Sequence, residues 1–186
     1  KVQAWAEVSD GCFQTGETRA ASRCSQDSQS VRVSTYTQPT FVRWSSVKGS
    51  ADADAIQWAK VKSPGRAVQK ATRLYFQDFS YVVDLCRQSI YFDSVQDLTC
   101  CLRVITSDPE VAVVRVKNRL DPQVDSTVSA GFRNVLVNLR VVTSETLEIG
   151  VETHVCEVQL ILKAMARIKN DEGHRRYIAF RNLRGE

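Results

Sequence analysis

Two stretches of alternating apolar and polar side chains constrain the fold of this chain more than any other feature. They run over residues 110–120 and 132–142. Side chains of a β-strand point to opposite faces in turn, so a period of two predicts strands with one buried face. In the first stretch the exposed face is predicted to be basic, with Arg115, Lys117 and Arg119. In the second, the predicted buried face has Val135, Val137, Leu139 and Val141, and the other face has Phe132, Asn134, Asn138 and Arg140.

Helical patterns precede these strands. Pro64 follows Ser63, which is a favourable helix start, and apolar residues recur at helical spacing, so we predict a helix over residues 64–77. A second helix should begin after Ser94, which is predicted to cap it, with Asp97 at the third position. The apolar face of this second helix comprises Val95, Leu98, Cys101, Leu102 and Ile105.

Two further strands complete the pattern. Tyr81–Phe92 is rich in β-forming residues, and Val151–Leu160 precedes a helical region that should break near Gly173 and resume to about Asn182. The predicted order is therefore helix, strand, helix, strand, strand, strand, helix. This order predicts an α+β fold, in which a mixed or antiparallel sheet carries helices on one side.

The first 55 residues differ in composition from the rest, being rich in Ser, Thr, Gln and Ala. We interpret residues 1–55 as a loop-rich leader with short strands, and residues 56–186 as the main domain. Trp5 and Trp44 are expected to fasten the leader to the core, because scattered tryptophans more often mark buried area than a stacking surface. The short strands are predicted at Val2–Val8, Val31–Tyr36 and Thr40–Trp44.

Composition limits the classes of function. The 186 residues are 43% hydrophobic and 25% charged, as in an average globular protein, and no apolar run approaches the roughly 18 residues of a membrane span. A net charge of +4 permits small polyanions as ligands. An RNA-binding module is the weakest alternative, since aromatic and basic residues are not interleaved as a platform, and nucleic acid is not an expected partner.

The chain begins at Lys1 without an initiator Met or a signal-like apolar segment, so we expect a piece of a longer protein. We expect it to reside inside the cell, in the cytoplasm or an organelle lumen such as the plastid stroma. Its six cysteines show no CxxC or Cys/His spacing for zinc, and reduced, mostly buried thiols are expected rather than disulfides. Four of them are predicted to lie inside apolar elements: Cys86, Cys100, Cys101 and Cys156.

A basic stretch ahead of one carboxylate is the candidate site. Asp84 opens the predicted strand Tyr81–Phe92, and it follows five basic residues: Lys60, Lys62, Arg66, Lys70 and Arg73. Phosphates need cations and a divalent metal needs hard oxygen ligands, so this order suits a nucleotide site. The alternatives are a solvated basic helix, and a surface pairing of Asp84 with Arg87 or Lys62 that contributes little.

Several short motifs carry a resemblance to a known family. They are KVKSP at residues 60–64, Lys70, Asp84, GFRNVLVNL at residues 131–139 and HVCEVQL at residues 154–160. In this order they resemble the synthetase domain of RelA/SpoT-type alarmone synthetases, over about Trp58–Tyr177. The resemblance implies a nucleotidyltransferase-like fold and a magnesium-dependent transfer of pyrophosphate from ATP to the ribose 3′-hydroxyl of GDP or GTP.

The resemblance also implies roles for individual residues. Lys60 and Lys62 match an Arg-x-Lys pair at the ATP phosphates, and Lys70 matches a further basic residue on the following helix. These three lysines would bind the triphosphate.

The implied catalytic residues are acidic. Asp84 matches the carboxylate that binds Mg²⁺, and Glu157 matches a second acidic residue that assists the metal or takes the hydroxyl proton. Phe132 stands where the family usually has a tyrosine that stacks on the guanine. Apart from the resemblance, Glu157 lies in mid-strand, where a carboxylate needs a partner or a metal unless it faces solvent.

The chain departs from the family pattern at several positions. Lys60 replaces an arginine and loses its bidentate phosphate contacts, and Gly65 replaces a larger side chain. Ser89 replaces a further arginine, Leu136 occupies the usual histidine position, and the usual Pro-Lys pair has no counterpart. A degenerate relative, acting as a structural or nucleotide-sensing subunit of a larger assembly, is therefore the alternative to an active pyrophosphokinase.

Overall fold

Six strands form one mixed sheet. The computed structural model describes residues 1–16, 38–129, 131–168 and 179. Within these residues the strands are β1 (Cys12–Gln14), β2 (Phe41–Arg43), β3 (Arg87–Phe92), β4 (Val111–Asn118), β5 (Val135–Val141) and β6 (Cys156–Leu162). Their order across the sheet is β2-β1-β3-β6-β5-β4, and only β3 and β6 run parallel among the described neighbouring pairs. The predicted α+β class with a mixed sheet is confirmed.

The described helices are α1 (Val2–Val8), α2 (Trp44–Val47), α3 (Pro64–Leu74), α4 (Val95–Ser107), α5 (Ser144–Glu148) and α6 (Lys163–Ile168). The predicted cap of α4 is confirmed, because the Ser94 hydroxyl accepts a hydrogen bond of 3.1 Å from the backbone N–H of Asp97. The predicted helix over residues 64–77 ends earlier, at Leu74. No described helix has both the length and the apolar character that a membrane crossing requires. The predicted break near Gly173 lies outside the described residues.

The strand predicted at Tyr81–Phe92 starts later, at Arg87. A 3₁₀ turn over Phe79–Tyr81 precedes it, because the Asp78 carboxylate accepts hydrogen bonds from the backbone N–H and the hydroxyl of Ser80, at 2.9 and 2.6 Å. The prediction that Asp84 opens the strand is therefore wrong. Asp84 lies in the turn ahead of β3.

The last predicted strand also starts later than expected, at Cys156 rather than Val151. A turn occupies the first residues of the predicted range, where the backbone N–H of His154 donates to the carbonyl of Val151 at 2.9 Å. The strand predicted over residues 132–142 begins at Val135 for a similar reason, since Phe132 closes a turn onto Ser129.

The hydrophobic core lies on one face of the sheet, beneath α1 and α4. Val135, Val137 and Leu139 are buried on this face, as the alternation predicted. The other members of the core that are buried to 2% exposure or less are Trp5, Ala6, Phe13, Ile90, Phe92, Leu98, Cys101, Ile105 and Leu160.

The N-terminal segment Val2–Val8 is a helix, so the strand predicted there is wrong. The segment buries Trp5 and Ala6, two adjacent positions on one helical face, and a strand would have pointed them to opposite sides. The Trp5 indole donates a 2.8 Å hydrogen bond to Asp108, just beyond the end of α4. This bond ties α1 to the end of α4.

The rest of the predicted leader gives mixed outcomes. The strand predicted at Thr40–Trp44 is present as the shorter β2, after which Trp44 begins α2. The strand predicted at Val31–Tyr36 lies outside the described residues. Although β1 pairs with both β2 and β3 in the one sheet, the domain division near residue 55 stays a prediction.

Trp5 and Trp44 are buried, at 2% and 8% exposure, which confirms that they anchor the N-terminal segment to the core. Trp44 packs edge-on against Phe13, with the ring centroids 5.9 Å apart. Trp58 completes the group, since its ring lies 4.9 Å from that of Phe13. These three aromatic side chains thus connect the first 55 residues to the part of the chain that follows them.

Every cysteine within the described residues carries a free thiol, namely Cys12, Cys86, Cys100, Cys101 and Cys156. Cys24 lies outside the described residues. The reduced state in solution stays a prediction. Cys12 and Cys101 are buried as expected and Cys100 and Cys156 are half-buried, but the predicted place of Cys86 inside an apolar element is wrong, because Cys86 is exposed in the turn before β3. Burial raises the pKa of the Cys101 thiol to about 11, so this thiol keeps its proton at neutral pH.

Replacement of Gly11 by alanine should destabilise the fold. An added Cβ would lie 2.7 Å from the Cγ2 atom of Ile90 and 2.9 Å from the Cα of Ala6, where α1 packs against the sheet. Overpacking of this kind costs about 1–3 kcal/mol of unfolding free energy, which chemical denaturation would measure.

The matched control is Gly65→Ala in α3, where an added Cβ meets nothing within 4 Å. Alanine there should leave stability unchanged or raise it by up to about 1 kcal/mol through helix propensity. Equal stability of Gly11→Ala and the unmodified protein would contradict the close packing of α1.

Candidate functional site

The packing of α3 positions the turn that carries Asp84. Ala67 and Ala71 on α3 are buried against Val82, in a small apolar cluster separate from the main core. The backbone N–H of Lys62, just ahead of α3, donates to the carbonyl of Leu85 at 2.9 Å. The start of α3 and the turn before β3 are therefore held side by side.

Three of the predicted site residues meet there. The Lys70 ammonium lies 2.9 Å from Oδ1 of Asp84, and Lys62 forms an ion pair with Oδ2. We call Lys62, Lys70 and Asp84 the lysine–aspartate cluster. The alternative prediction, a pairing of Asp84 with Lys62 on the surface, is confirmed for the pairing. Its location is wrong, because the Asp84 side chain is only 11% exposed. A buried ion pair costs several kcal/mol of desolvation per charge, so its presence needs an explanation beyond stability.

The charges of the cluster control its proton equilibria. Burial acts to raise the pKa of Asp84, but its pairing with Lys62 and Lys70 outweighs burial and leaves that pKa below its usual value. Burial lowers the pKa of Lys62, and the charges of Lys70 and Arg87 lower it further, against the effect of Asp84. One carboxylate thus faces more positive charge than it neutralises.

The surroundings add to the positive charge. The Lys70 ammonium lies 5.6 Å from the centre of the Tyr75 ring, within the range of a cation–π interaction. Arg87 opens β3 and is exposed, and Lys60 is exposed two residues ahead of Lys62. The structure therefore does not bring Lys60 into the cluster.

Glu157 occupies a neighbouring position on the sheet. Its register partner on the parallel strand β3 is Arg87, and its backbone N–H donates to the carbonyl of Cys86 at 2.9 Å. The Glu157 carboxylate accepts a 2.6 Å hydrogen bond from the Gln159 side chain. Because Asp84 lies three residues before Arg87, both carboxylates lie at the same end of the β3–β6 pair.

A row of polar residues extends from Glu157 across the sheet. In register, Arg87 faces Glu157, Glu157 faces Asn138 on β5, and Asn138 faces Arg115 on β4. Arg115 donates to Oδ1 of Asn138 at 3.2 and 2.9 Å. Asn138 was not among the candidate site residues predicted from the sequence, although an asparagine inside an alternating apolar strand is a usable signal.

The polar face of β5 is more buried than the alternation predicted. Asn134 and Asn138, which were predicted on the face opposite the valines, are only 2% and 3% exposed. Within the described part of the chain, Nδ2 of Asn138 is buried without a hydrogen-bond partner. Burial of an unpaired amide costs about 1–3 kcal/mol, which is typical of a residue kept for a role other than stability.

Phe132 lies in the loop ahead of β5 and is partly buried. Its backbone carbonyl accepts a 2.7 Å hydrogen bond from the Ser129 hydroxyl. The structure thus fixes the backbone at Phe132, and its predicted stacking on guanine stays a prediction.

The residues as arranged do not fit a resident magnesium ion. Each carboxylate oxygen of Asp84 already has an ammonium group as its ion-pair partner, although the Lys70 contact at Oδ1 lacks hydrogen-bond geometry, and Glu157 accepts a hydrogen bond from an amide. A hard cation at Asp84 would lie beside two positive charges. In residues 1–16, 38–129, 131–168 and 179, no three His, Cys, Asp or Glu side chains come together as a metal site.

No known family model matches this chain, and no curated protein matches it significantly in sequence. Solved structures do resemble it. The small alarmone synthetase 1 from Bacillus subtilis, bound to its product pppGpp, is 18% identical with a TM-score of 0.46, over 57% of this chain and 53% of that chain.

Two further structures are similar. The small alarmone synthetase 2 from Bacillus subtilis is 18% identical with a TM-score of 0.48, over 66% of this chain and 62% of that chain. The smu.1046c protein from Streptococcus mutans UA159 is 16% identical with a TM-score of 0.47, over 68% and 61%. The chain thus spans between about half and two thirds of these proteins.

Replacement of Asp84 by asparagine should make the stability of the protein less sensitive to acid. The pKa of Asp84 is lower in the folded state than its unfolded value of about 3.9, so its charge stabilises the fold above that value. This contribution is lost as the pH falls through the folded pKa. Urea denaturation from neutral pH down to about pH 2 would measure it as a shallower acid decline for Asp84→Asn.

The control is Asp93→Asn, because Asp93 pairs with Lys163 at 2.8 Å but is 56% exposed. Exposed pairs contribute little, so its acid decline should match that of the unmodified protein. Identical curves for all three proteins would show that the cluster does not favour the charged form of Asp84.

Proposed function

We propose that this chain is a nucleotide-binding domain of the alarmone synthetase type, whose ligands are ATP and GDP or GTP. The observation that supports the proposal is the buried lysine–aspartate cluster. Two ammonium groups converge on one point beside a turn, and the remaining positive charge favours a polyanion.

The nucleotide itself comes from the resemblance. The motifs KVKSP, GFRNVLVNL and HVCEVQL resemble those of a family that binds ATP and guanine nucleotides. In this proposal Lys62 and Lys70 bind phosphate oxygens, Lys60 adds an exposed charge nearby, and Phe132 contacts the base of the acceptor nucleotide.

Replacement of Lys62 or Lys70 by alanine should weaken ATP binding. Each ammonium would donate to a charged oxygen, and such hydrogen bonds contribute about 1.5–3 kcal/mol, so each variant should lose roughly tenfold or more in affinity. Isothermal titration calorimetry would measure the change. Lys60→Ala should lose less, because Lys60 is exposed.

The matched control is Lys48→Ala. Lys48 also pairs with an acidic residue, Glu7, at 2.8 Å, but it lies just past α2 and outside the cluster. Its replacement should leave ATP affinity unchanged. Unchanged affinity in both Lys62→Ala and Lys70→Ala would contradict the proposed phosphate site.

A second candidate function is pyrophosphate transfer from ATP to the 3′-hydroxyl of GDP or GTP, which the resemblance implies. The favouring observation is that Asp84 and Glu157 lie at the same end of two adjacent parallel strands. In this reaction Glu157 takes the proton of the attacking 3′-hydroxyl, whose oxygen bonds to the β-phosphorus of ATP while the bond from that phosphorus to the α-phosphate oxygen breaks and AMP leaves. The lysines stabilise charge on the phosphates. Magnesium would be supplied with the nucleotide and would offset charge on its phosphates.

The purified chain should then convert ATP and GDP or GTP, with Mg²⁺ in solution, into a 3′-pyrophosphorylated nucleotide. Glu157→Gln should abolish the product, because an amide cannot accept the proton, while nucleotide affinity is retained. Anion-exchange chromatography would detect the product. Intact ATP binding without any new nucleotide would instead favour a nucleotide-sensing subunit of a larger assembly.

A further inference from the structure

The lysines that would bind phosphate are already bound to a carboxylate. Asp84 uses one oxygen for each lysine, and the side chains of Lys62 and Lys70 are only 13% and 23% exposed. Each ammonium group has three N–H donors, so a phosphate could bind beside the carboxylate, but it would then lie against the negative charge of Asp84 in a partly buried site. Repulsion between the two anions therefore favours exchange of one for the other.

We propose that Asp84 is an internal counter-ion, which the terminal phosphate of a nucleoside polyphosphate displaces, so that the site binds its ligand without a divalent cation. This inference rests on the proposed function, in which Lys62 and Lys70 hold phosphate. It assigns Asp84 the role of a competitor for the lysines rather than that of a metal ligand.

Charge explains why the exchange favours phosphate. A carboxylate has one negative charge and two acceptor oxygens, whereas a terminal phosphate near neutral pH has nearly two charges and three acceptor oxygens. Lys62, Lys70 and the nearby Arg87 together exceed the single charge of Asp84. The more highly charged anion gains more from the same ammonium groups.

Charge also explains why a divalent cation is not needed. A cation bound to Asp84 would lie within a few ångströms of two ammonium groups, which repel it in a partly buried site. The lysines supply the positive charge that a metal would otherwise bring to the phosphates. Tyr75, 5.6 Å below the Lys70 ammonium, helps to hold that charge in place.

The test is calorimetric titration of the unmodified chain with inorganic tripolyphosphate and with ATP, in EDTA and in excess Mg²⁺. We expect both ligands to bind in EDTA, with affinity no lower than in Mg²⁺. Asp84→Asn removes the competing charge and should bind tripolyphosphate in EDTA about tenfold more tightly or better. Asp93→Asn, which removes a carboxylate from Lys163 instead, should bind as the unmodified chain does.

Binding that requires Mg²⁺, or weaker binding by Asp84→Asn in EDTA, would overturn the inference and leave the proposed function standing. Absence of binding under every condition would contradict the proposed function itself. If Asp84→Asn does not fold, the comparison of EDTA with Mg²⁺ on the unmodified chain still decides the question.

A second, independent observation concerns two thiols beside the site. Cys86 precedes Arg87 and Cys156 precedes Glu157, and Arg87 and Glu157 are register partners on the parallel strands β3 and β6. Cys86 and Cys156 are therefore lateral neighbours. Adjacent strands lie about 4.7–4.9 Å apart, which is within the Cα separation of roughly 4.4–6.8 Å that a disulfide accepts.

We infer that Cys86 and Cys156 form a disulfide when the protein meets a small-molecule disulfide such as oxidised glutathione. The exposed Cys86 thiolate attacks the reagent and releases one glutathione thiolate. Cys156 then loses its proton and attacks the Cys86 sulfur, which forms the protein disulfide and releases the second glutathione. The protein loses two electrons and two protons, and one glutathione disulfide becomes two thiols.

The environments of the two sulfurs fit this order of attack. Burial and the neighbouring Cys86 sulfur raise the pKa of Cys156 to about 11, so Cys156 holds its proton at neutral pH and acts second. Cys86 is exposed to the reagent, whereas Cys156 is only partly so. The bond would join the turn before β3 to the start of β6, two residues from Asp84 and one residue from Glu157 in sequence.

Oxidation of the native chain with glutathione disulfide, followed by peptide mass spectrometry without reduction, tests the inference. We expect a linked peptide pair that contains Cys86 and Cys156, and a stable glutathione adduct on Cys86 in Cys156→Ser. The adjacent Cys100 and Cys101 serve as the internal control and should remain unlinked to each other. A stable Cys86 adduct in the unmodified chain, with no Cys86–Cys156 peptide, would overturn the inference.

Discussion

The parallel pairing of β3 with β6 is the constraint on which the rest of the structure depends. It joins segments 70 residues apart in register, from Arg87 opposite Glu157 to Phe92 opposite Leu162. Parallel neighbours need a long crossover, and here the crossover includes α4, β4 and β5. The pairing sets the core on one face and brings Asp84, Cys86 and Glu157 to one end of the same pair.

The fold also accepts a local cost at that end. Burial of the lysine–aspartate cluster and of the Asn138 amide costs desolvation free energy. Apolar side chains of similar volume would avoid this cost. Both polar groups lie next to the β3–β6 pair, and the apolar core on the opposite face contains neither. The arrangement is what a protein with a stable core and a separate polar binding surface should show.

Sequence reasoning succeeded where a local signal determines the structure. The alternation of Val135, Val137 and Leu139 and the cap at Ser94 depend on neighbours within a few residues, and both are confirmed. It failed at Val2–Val8, which is a helix whose Trp5 is buried and hydrogen-bonded to Asp108, about 100 residues further along the chain. A local pattern does not contain this contact. The short distances from Lys62 and Lys70 to Asp84 could not be predicted from the sequence, because they depend on how α3 packs against the turn before β3.

The central position of β6 has a consequence for how the chain folds as it is made. Of the six described strands, β6 is the last in sequence, yet it lies between β3 and β5. Until it leaves the ribosome, both of those strands present an unpaired edge, and the sheet stays in two halves. Unpaired edges invite association with other chains, so a nascent chain of this fold depends on chaperones or fast late pairing during its synthesis.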